Sequence, residues 1–305
     1  MRIGLITHLH GRPDGDTPAP TWQSVASKAK AAEAVGFDML VYEDALLYPS
    51  DSGYGGVWES MAISGGVAVA TDHISFGPSV INSPYRSPAF MAKIAETLDE
   101  MSAGRFVLGI GAGNTADTDY QAYGFPTDRR YSRFAEAIEI IHTLLKTGRV
   151  NHAGDFYSAT GTELVLRGPS GTGPKINIAA AGPKMLRLVA RYGDQWNWWA
   201  WGETIDETRD RLTPIIDDLD TACRGTGRDP GTLGRTLDIY TVIPPGTGSR
   251  VDGMDHPVQG TVDEQVAYFA ALGDLGFTEI RVDLADGGVE AIEAMAPVVA
   301  AVHRL

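Results

Sequence analysis

Residues 271–282 read ALGDLGFTEIRV, and their order points to the architecture. A helical stretch runs out at Gly276. Glycine can end a helix by entering the left-handed region, and an apolar run of strand length starts one residue later. The same order recurs at residues 34–40, AVGFDML, and at residues 191–199, RYGDQWNWW. Working outward from these junctions, strand-like runs fall at about 2–7, 37–43, 73–81, 105–113, 194–201, 236–243 and 277–284, with a further one beginning at Ile176. Helical patterns follow at about 21–35, 57–70, 87–101, 131–146, 183–192, 206–224, 262–275 and 288–303. The strands are apolar throughout rather than cleanly alternating, as expected for a parallel sheet covered on both faces. Eight strand–helix units predict an α/β fold, a (β/α)8 TIM-type barrel, better than an open sheet. No Pro/Gly-rich linker divides residues 1–305, so a single domain is expected.

Four connections are long: 44–56, 114–130, 147–175 and 244–260. The first, second and fourth follow strands and should rim the C-terminal mouth, where barrel enzymes place their sites. The third follows a helix. Alternation within 155–167 predicts a small hairpin there, with a structural role.

Composition excludes several classes. The 305 residues carry a net charge of −14, which disfavours nucleic acid and anionic membrane as partners. The 43% apolar content is enough for a large core. One cysteine, Cys223, cannot form a disulfide within the chain, and it reads as helix filling. No apolar run approaches the roughly 18 residues that span a bilayer. A cytoplasmic protein acting on a small molecule is expected.

Four constellations could carry chemistry. Thr7-His8-Leu9-His10 ends the first strand. A metal-dependent barrel hydrolase would also need histidines ending strands five and six, but those ends carry alanines with glycine and tryptophans. No metal is therefore assigned. His8 reads as a donor or proton-transfer group at the mouth, or as a solvated loop histidine. GIGAGN, residues 109–114, lacks the helix that must directly follow a dinucleotide fingerprint, so a Rossmann reading fails on context. INIAAAGPKML, residues 176–186, strips its side chains just before a helix that starts at Pro183. That stretch is either tight packing or a phosphate seat on free backbone N–H groups, with Lys184 adding charge. Trp196, Trp198, Trp199 and Trp201 crowd the sixth strand, and Trp22, Tyr48, Tyr54 and Trp58 lie in or beside mouth loops. Several aromatics around one rim suggest a pocket for a planar ligand. Nucleophile–base signatures are missing, so a cofactor should supply the reaction chemistry.

Two segments carry a resemblance. Residues 83–126, SPYRSPAFMAKIAETLDEMSAGRFVLGIGAGNTADTDYQAYGFP, and residues 176–197, INIAAAGPKMLRLVARYGDQWN, resemble the bacterial luciferase-like superfamily of flavin- and deazaflavin-dependent oxidoreductases. That resemblance implies a barrel that holds FMN or coenzyme F420 at its mouth, often as a homodimer. It implies a non-proline cis peptide at Ser79-Val80, behind the cofactor ring. Asp44 matches a ring contact. The histidine that often follows it in the family is replaced here by Ala45. A glutamate of the sugar-phosphate dehydrogenases is replaced by Asn114, and both departures argue against that activity.

The remaining cofactor contacts implied are Asn82, Ala112, Gly113, Asn114, Ala181, Gly182, Lys184 and Met185. His8 and Asp44 are the candidates for proton handling, with His8 and Trp199 facing substrate. GPKMLRLVARYGD is similar to the F420 branch, that of the methylene-tetrahydromethanopterin reductases, and the implied activity is F420-dependent hydride transfer to or from a small organic substrate. The alternative is an FMN monooxygenase served by a flavin reductase. A non-catalytic flavin-binding protein and a metal-dependent hydrolase are the remaining readings.

Overall fold

The structure, a computed structural model, describes residues 1–305 except 12–18, 51–52, 114–116, 201–203, 242–257, 259 and 285–286. Its frame is a parallel ladder of β1 (Arg2–Ile6), β2 (Met39–Tyr42), β3 (Ser75–Pro78), β4 (Val107–Gly111), β5 (Lys175–Ala179), β6 (Gln195–Ala200), β7 (Gly234–Tyr240) and β8 (Glu279–Asp283). The spatial order is β3-β2-β1-β8-β7-β6-β5-β4, and then the two-residue strand Ile81–Asn82. Ile81–Asn82 directly continues the β3 segment, so the ladder returns to its starting strand. A parallel bridge between Phe76 and Phe106 joins the same seam. The (β/α)8 barrel is therefore present, with its third strand interrupted at Ser79-Val80, whose peptide bond is cis. At this seam the backbones approach too closely for any side chain. A Cβ on Gly77 would lie 2.0 Å from the Val107 carbonyl oxygen, and one on Gly109 would lie 1.9 Å from that of Pro78.

The covering helices are α1 (Trp22–Val35), α2 (Ser60–Ala70), α3 (Pro88–Met101), α4 (Arg130–Thr147), α5 (Pro183–Tyr192), α6 (Ile205–Gly225), α7 (Val262–Asp274), α8 (Val289–Ala294) and α9 (Ala296–Val302). Their boundaries follow local chemistry. Thr21 caps α1 by accepting from the Ser24 amide, and Gly36 at φ 98° ends it. Thr204 with Glu207 and Thr261 with Glu264 form complete capping boxes on α6 and α7. Gly276 is left-handed as the pattern requires, at φ 92°. Gly193 is not. It is extended at φ −83°, because its N–H still bonds Val189 while the chain turns straight into β6.

The connections bring further differences. Residues 44–56 contain an antiparallel hairpin, Leu47–Ser50 against Gly53–Gly56. A helix, Asp117–Tyr123, occupies part of the stretch read as loop. The expected hairpin after α4 exists but starts earlier, pairing Arg149–Ala153 with Ser158–Glu163. The 244–260 connection falls almost wholly outside the described residues. No described helix is long and apolar enough to cross a membrane.

Side chains alternate along each strand, and this divides the buried volume in two. Outward residues such as Ile3, Leu40, Phe76, Leu108, Ile178, Trp196, Leu237 and Ile280 join the main core beneath the helices. Met39, Val41 and Val107 form a separate cluster with Ile6. β4 and β2 are not neighbours in the ladder, so this cluster meets across the bore.

Candidate active site at the barrel mouth

Strand β8 shows how the site is built. Its five residues, Glu279 to Asp283, are all buried. Ile280 and Val282 face the helices, so Glu279, Arg281 and Asp283 point inward. Arg281 is 1% exposed and donates from Nε to Glu279 at 2.7 Å. Its NH1 reaches Ser79 Oγ at 3.3 Å, from one side of the bore to the other. Ser79 Oγ in turn donates to Asp238 Oδ2 at 3.0 Å, and Asn197 Nδ2 donates to Asp238 Oδ1 at 3.0 Å. Burial pushes the Asp238 carboxyl up from its ordinary value, and Arg281, Asn197 and Ser79 offset this only in part.

Above this layer lies a cavity of about 310 Å³, lined by His8, Glu43, Ser79, Trp199, Asp238, Tyr240 and Asp283 over Ile6 and Ile239. Register explains the convergence. Ile6 and Tyr240 both pair with Asp283, so His8, two residues past Ile6, stands over the carboxylate. His8 Nε2 meets Asp283 Oδ2 at 2.9 Å, and its Nδ1 faces Glu43 Oε2 at 3.7 Å. Burial alone would lower the His8 pKa. The hydrogen bonds and charges of Asp283 and Glu43 outweigh it and hold the imidazole well above the ordinary 6.5. The shift favours the imidazolium form. Glu43 shows the complement: burial opposes its charge, but His10 and His8 draw its pKa far below the carboxylate range. Glu43 Oε1 also accepts from the Leu9 amide at 2.7 Å and meets His10 Nδ1 at 2.8 Å. Burial, with Asp283 next, pushes the Tyr240 phenol well up, so it remains an O–H donor.

The structure places the other expected residues as follows. Asp44 is 4% exposed and lies beside the cavity, where its carboxylate is fully engaged. It accepts from both terminal nitrogens of Arg86 at 2.9 Å, from Ser60 Oγ at 2.6 Å and from the Asn82 amide at 2.9 Å. Arg86 also pairs with Glu59. Through these bonds Asp44 holds Asn82 and the β3 end in place. Asn82 donates its side-chain amide to the Asp44 carbonyl. Val80 packs toward β4, where a Cβ on Gly111 would lie 3.0 Å from its Cγ2. Ala112 is half-buried, and Gly113 has φ 96° with Tyr120 Oη only 1.9 Å from where a Cβ would stand. Asn114 lies outside the described residues.

Ala181, Gly182 and Lys184 are exposed, and Met185 packs partly against the core. Gly182 at φ 78° precedes α5 without any side-chain cap, so the first-turn N–H groups are not taken by a capping side chain. Lys184 Nζ sits 5.8 Å from the centre of the Tyr131 ring.

The aromatic rim is thinner than the sequence suggested. Trp199 lines the cavity and stacks on Trp198 at 3.9 Å, while Trp196 is core and donates to the Ala180 carbonyl at 2.8 Å. Trp22 packs on α2 at Gly66, and Tyr48 stacks on His10 at 3.8 Å. Trp201 lies outside the described residues. Sequence reasoning missed Glu43, Asp238, Tyr240, Arg281 and the site role of Asp283. Charges at every second position of FTEIRVDL were the available signal for β8. Arg130, which donates to the Gly113 carbonyl at 3.0 Å, was also missed.

His8, His10 and Glu43 also bring ligand-type atoms within 4.8 Å of one another. A larger cavity of about 420 Å³ lies on the outer flank between α3 and residues 164–168. Its Glu96 and Arg167 bond each other at 2.8 Å.

The sequence profile of the luciferase-like monooxygenase family matches residues 1–249, and the chain belongs to that family. It is 30% identical over 224 residues to the F420-dependent hydroxymycolic acid dehydrogenase of Mycobacterium tuberculosis, covering 72% of this chain and 59% of that one. It is 38% identical over 128 residues to the 5,10-methylenetetrahydromethanopterin reductase of Archaeoglobus fulgidus, covering 42% of this chain and 37% of the relative. The chain thus spans about three-fifths or less of these relatives. An F420-dependent secondary alcohol dehydrogenase, solved with an F420-acetone adduct, shares the fold at TM-score 0.79 and 19% identity, over 99% of this chain and 98% of that one.

Proposed function

We propose that the protein is a coenzyme F420-dependent oxidoreductase that interconverts a small carbonyl compound and its alcohol. The observation that carries this reading is the His8 imidazole, held between Asp283 and Glu43 inside the mouth cavity. Carbonyl reduction needs a hydride at carbon and a proton at oxygen. The deazaflavin supplies or accepts the hydride when bound. His8 gives its proton to the carbonyl oxygen, or takes it back from the hydroxyl in the reverse direction. Tyr240 keeps its O–H and can donate a second hydrogen bond to the same oxygen. Trp199 walls the cavity with an apolar face and limits water.

The chain fits such a cofactor on its own features. The half-buried Ala112 at the end of β4 offers backbone that a flat ring can approach. The first turn of α5 at Gly182, with Lys184, offers N–H groups and positive charge to a phosphate. Ser79, Val80 and Asn82 would stand behind the ring, and Met185 beside the phosphate turn. The names of the relatives favour F420 over FMN. The family profile, that of luciferase-like monooxygenases, supports the second reading, an FMN enzyme that uses reduced flavin and oxygen with a reductase partner.

Titrating the purified protein separately with F420 and FMN decides between them. Deazaflavin binding in the micromolar range, followed by hydride transfer to short-chain ketones, is expected. Micromolar FMN binding without deazaflavin binding overturns the reading, and substrate-dependent oxygen uptake then establishes the alternative.

A further inference from the structure

His8 and His10 lie two positions apart just past β1, where the chain stays extended. Residues 9–11 run beside residues 56–58. The Gly11 amide donates to the Gly56 carbonyl at 3.2 Å, the Trp58 amide donates to the Leu9 carbonyl at 3.1 Å, and His10 forms an antiparallel bridge with Val57. Alternate side chains of extended chain share a face, so both imidazoles turn toward the end of β2. Glu43 stands there. Its Oε1 accepts from the Leu9 amide at 2.7 Å and meets His10 Nδ1 at 2.8 Å. Its Oε2 is buried, makes no hydrogen bond and faces His8 Nδ1 at 3.7 Å. On the far side of the ring, His8 Nε2 meets Asp283 Oδ2 at 2.9 Å. Among the described residues, His8, His10 and Glu43 are the one group of three His, Cys, Asp or Glu side chains whose ligand atoms converge within 4.8 Å.

We propose that His8, His10 and Glu43 form a site for one divalent ion of the zinc class, and that filling it takes His8 away from the substrate. The site itself needs no cofactor, and only its effect on turnover rests on the oxidoreductase reading above. Donor atoms bound to one ion at about 2.0–2.2 Å lie about 3–3.5 Å from one another. Two of the pairs here stand at 2.8 and 3.7 Å, so small side-chain rotations complete the set. Two of the three donors are imidazoles, which select zinc, cobalt, nickel or copper over magnesium or calcium. Asp283 is the carboxylate behind a ligating histidine: it orients the His8 ring, keeps the proton on Nε2 and leaves Nδ1 to the ion. Glu43 and Asp283 together balance the two positive charges. Tyr48, stacked 3.8 Å from His10 and 3° from parallel, fixes the plane of the second imidazole. The mouth cavity, lined by His8 and Glu43, gives the ion its way in and a place for a water as fourth ligand. An ion on Nδ1 replaces one proton of His8, and Asp283 holds the other. The metal-bound ring then has no proton to give a carbonyl oxygen.

The test uses the full-length protein without cofactor, stripped with a chelator and dialysed against Zn²⁺ or Co²⁺. One equivalent of zinc should stay with each chain, excess Mg²⁺ should not displace it, and cobalt should give the visible d–d absorption of a nitrogen–oxygen site. His10→Gln and Glu43→Gln should each weaken zinc binding by roughly tenfold or more, and Asp283→Asn by about 10–100-fold. The wild-type cobalt spectrum carries the test where a variant does not fold. Zinc binding that does not saturate, or cobalt without d–d absorption, overturns the site. Undiminished binding in folded His10→Gln and Glu43→Gln also overturns it and puts the ion elsewhere, such as the exposed pair of His303 and Asp38. With F420 and a ketone, one equivalent of zinc should lower turnover by roughly tenfold or more, and a chelator should restore it. Unchanged or faster turnover with the site filled overturns the claim that the ion takes His8 from the substrate. Zinc bound as expected by an F420-inactive protein would keep the site and defeat the oxidoreductase reading instead.

Discussion

The bore of this barrel has two unlike walls. On one, strands β6 to β8 turn Asn197, Thr236, Asp238, Glu279 and Arg281 inward, all bonded to one another or to Ser79 across the bore. On the other, Ile6, Met39, Val41 and Val107 pack with no polar atom among their side chains. Both walls are buried, yet they do different work. The apolar wall gains from leaving water. The polar wall gives back much of its Coulomb energy as desolvation, so its value lies in orienting groups at the mouth rather than in stability. The lesson is that burial alone does not tell what a residue is for. Its partners do.

The largest effect should come from the polar side of the mouth. His8→Gln should lower turnover by about 10²–10⁴-fold, the range for loss of a positioned acid or base, while thermal unfolding moves little. A loss in melting temperature that accounts for the lost activity would show that His8 belongs to the scaffold. Next is the wall itself. Arg281→Met leaves the buried Glu279 with only Arg2, at 3.4 Å, and takes the cation from the half-buried Asp238, and unfolding in urea should show a loss of about 3 kcal/mol. A change under 1 kcal/mol would mean that the two walls are energetically alike. On the apolar wall, Met39→Ala should cost about 2–3 kcal/mol through lost contacts and a cavity, with the cofactor affinity unchanged.

The smallest effect is a pH profile. The folded His8 pKa lies above 6.5, so the imidazolium is fully formed below the unfolded value and is lost as pH rises through the folded one. Carbonyl reduction should therefore hold level in the neutral range and fall on the alkaline side, and alcohol oxidation should rise there. The same sign applies to the stability that the His8 ion pairs contribute. A reduction rate that increases with pH would remove the imidazolium from the mechanism.

The legibility of the chain divides in a similar way. Helix ends at Gly36 and Gly276, with the apolar runs that follow them, were local, and so could be read from a few consecutive residues. The eight units followed from these. Gly193 broke the pattern because its conformation depends on how quickly β6 must begin. Asp44 was named because it matches a family position, whereas nothing local marked Glu43, since which of two adjacent carboxylates faces the bore depends on strand parity. The structure puts Glu43 at the cavity and turns Asp44 to Arg86 and Ser60.

By itself the sequence determined the repeated strand–helix grammar, the glycines at the β3–β4 seam and a histidine at the end of β1, because periodicity, caps and turns are written in near neighbours. Only the tertiary structure decided that His8 stands between Glu43 and Asp283, 35 and 275 positions away in the chain. Closure of the barrel brings β1, β2 and β8 side by side. The register of those strands then sets which carboxylates face the imidazole and hold its proton.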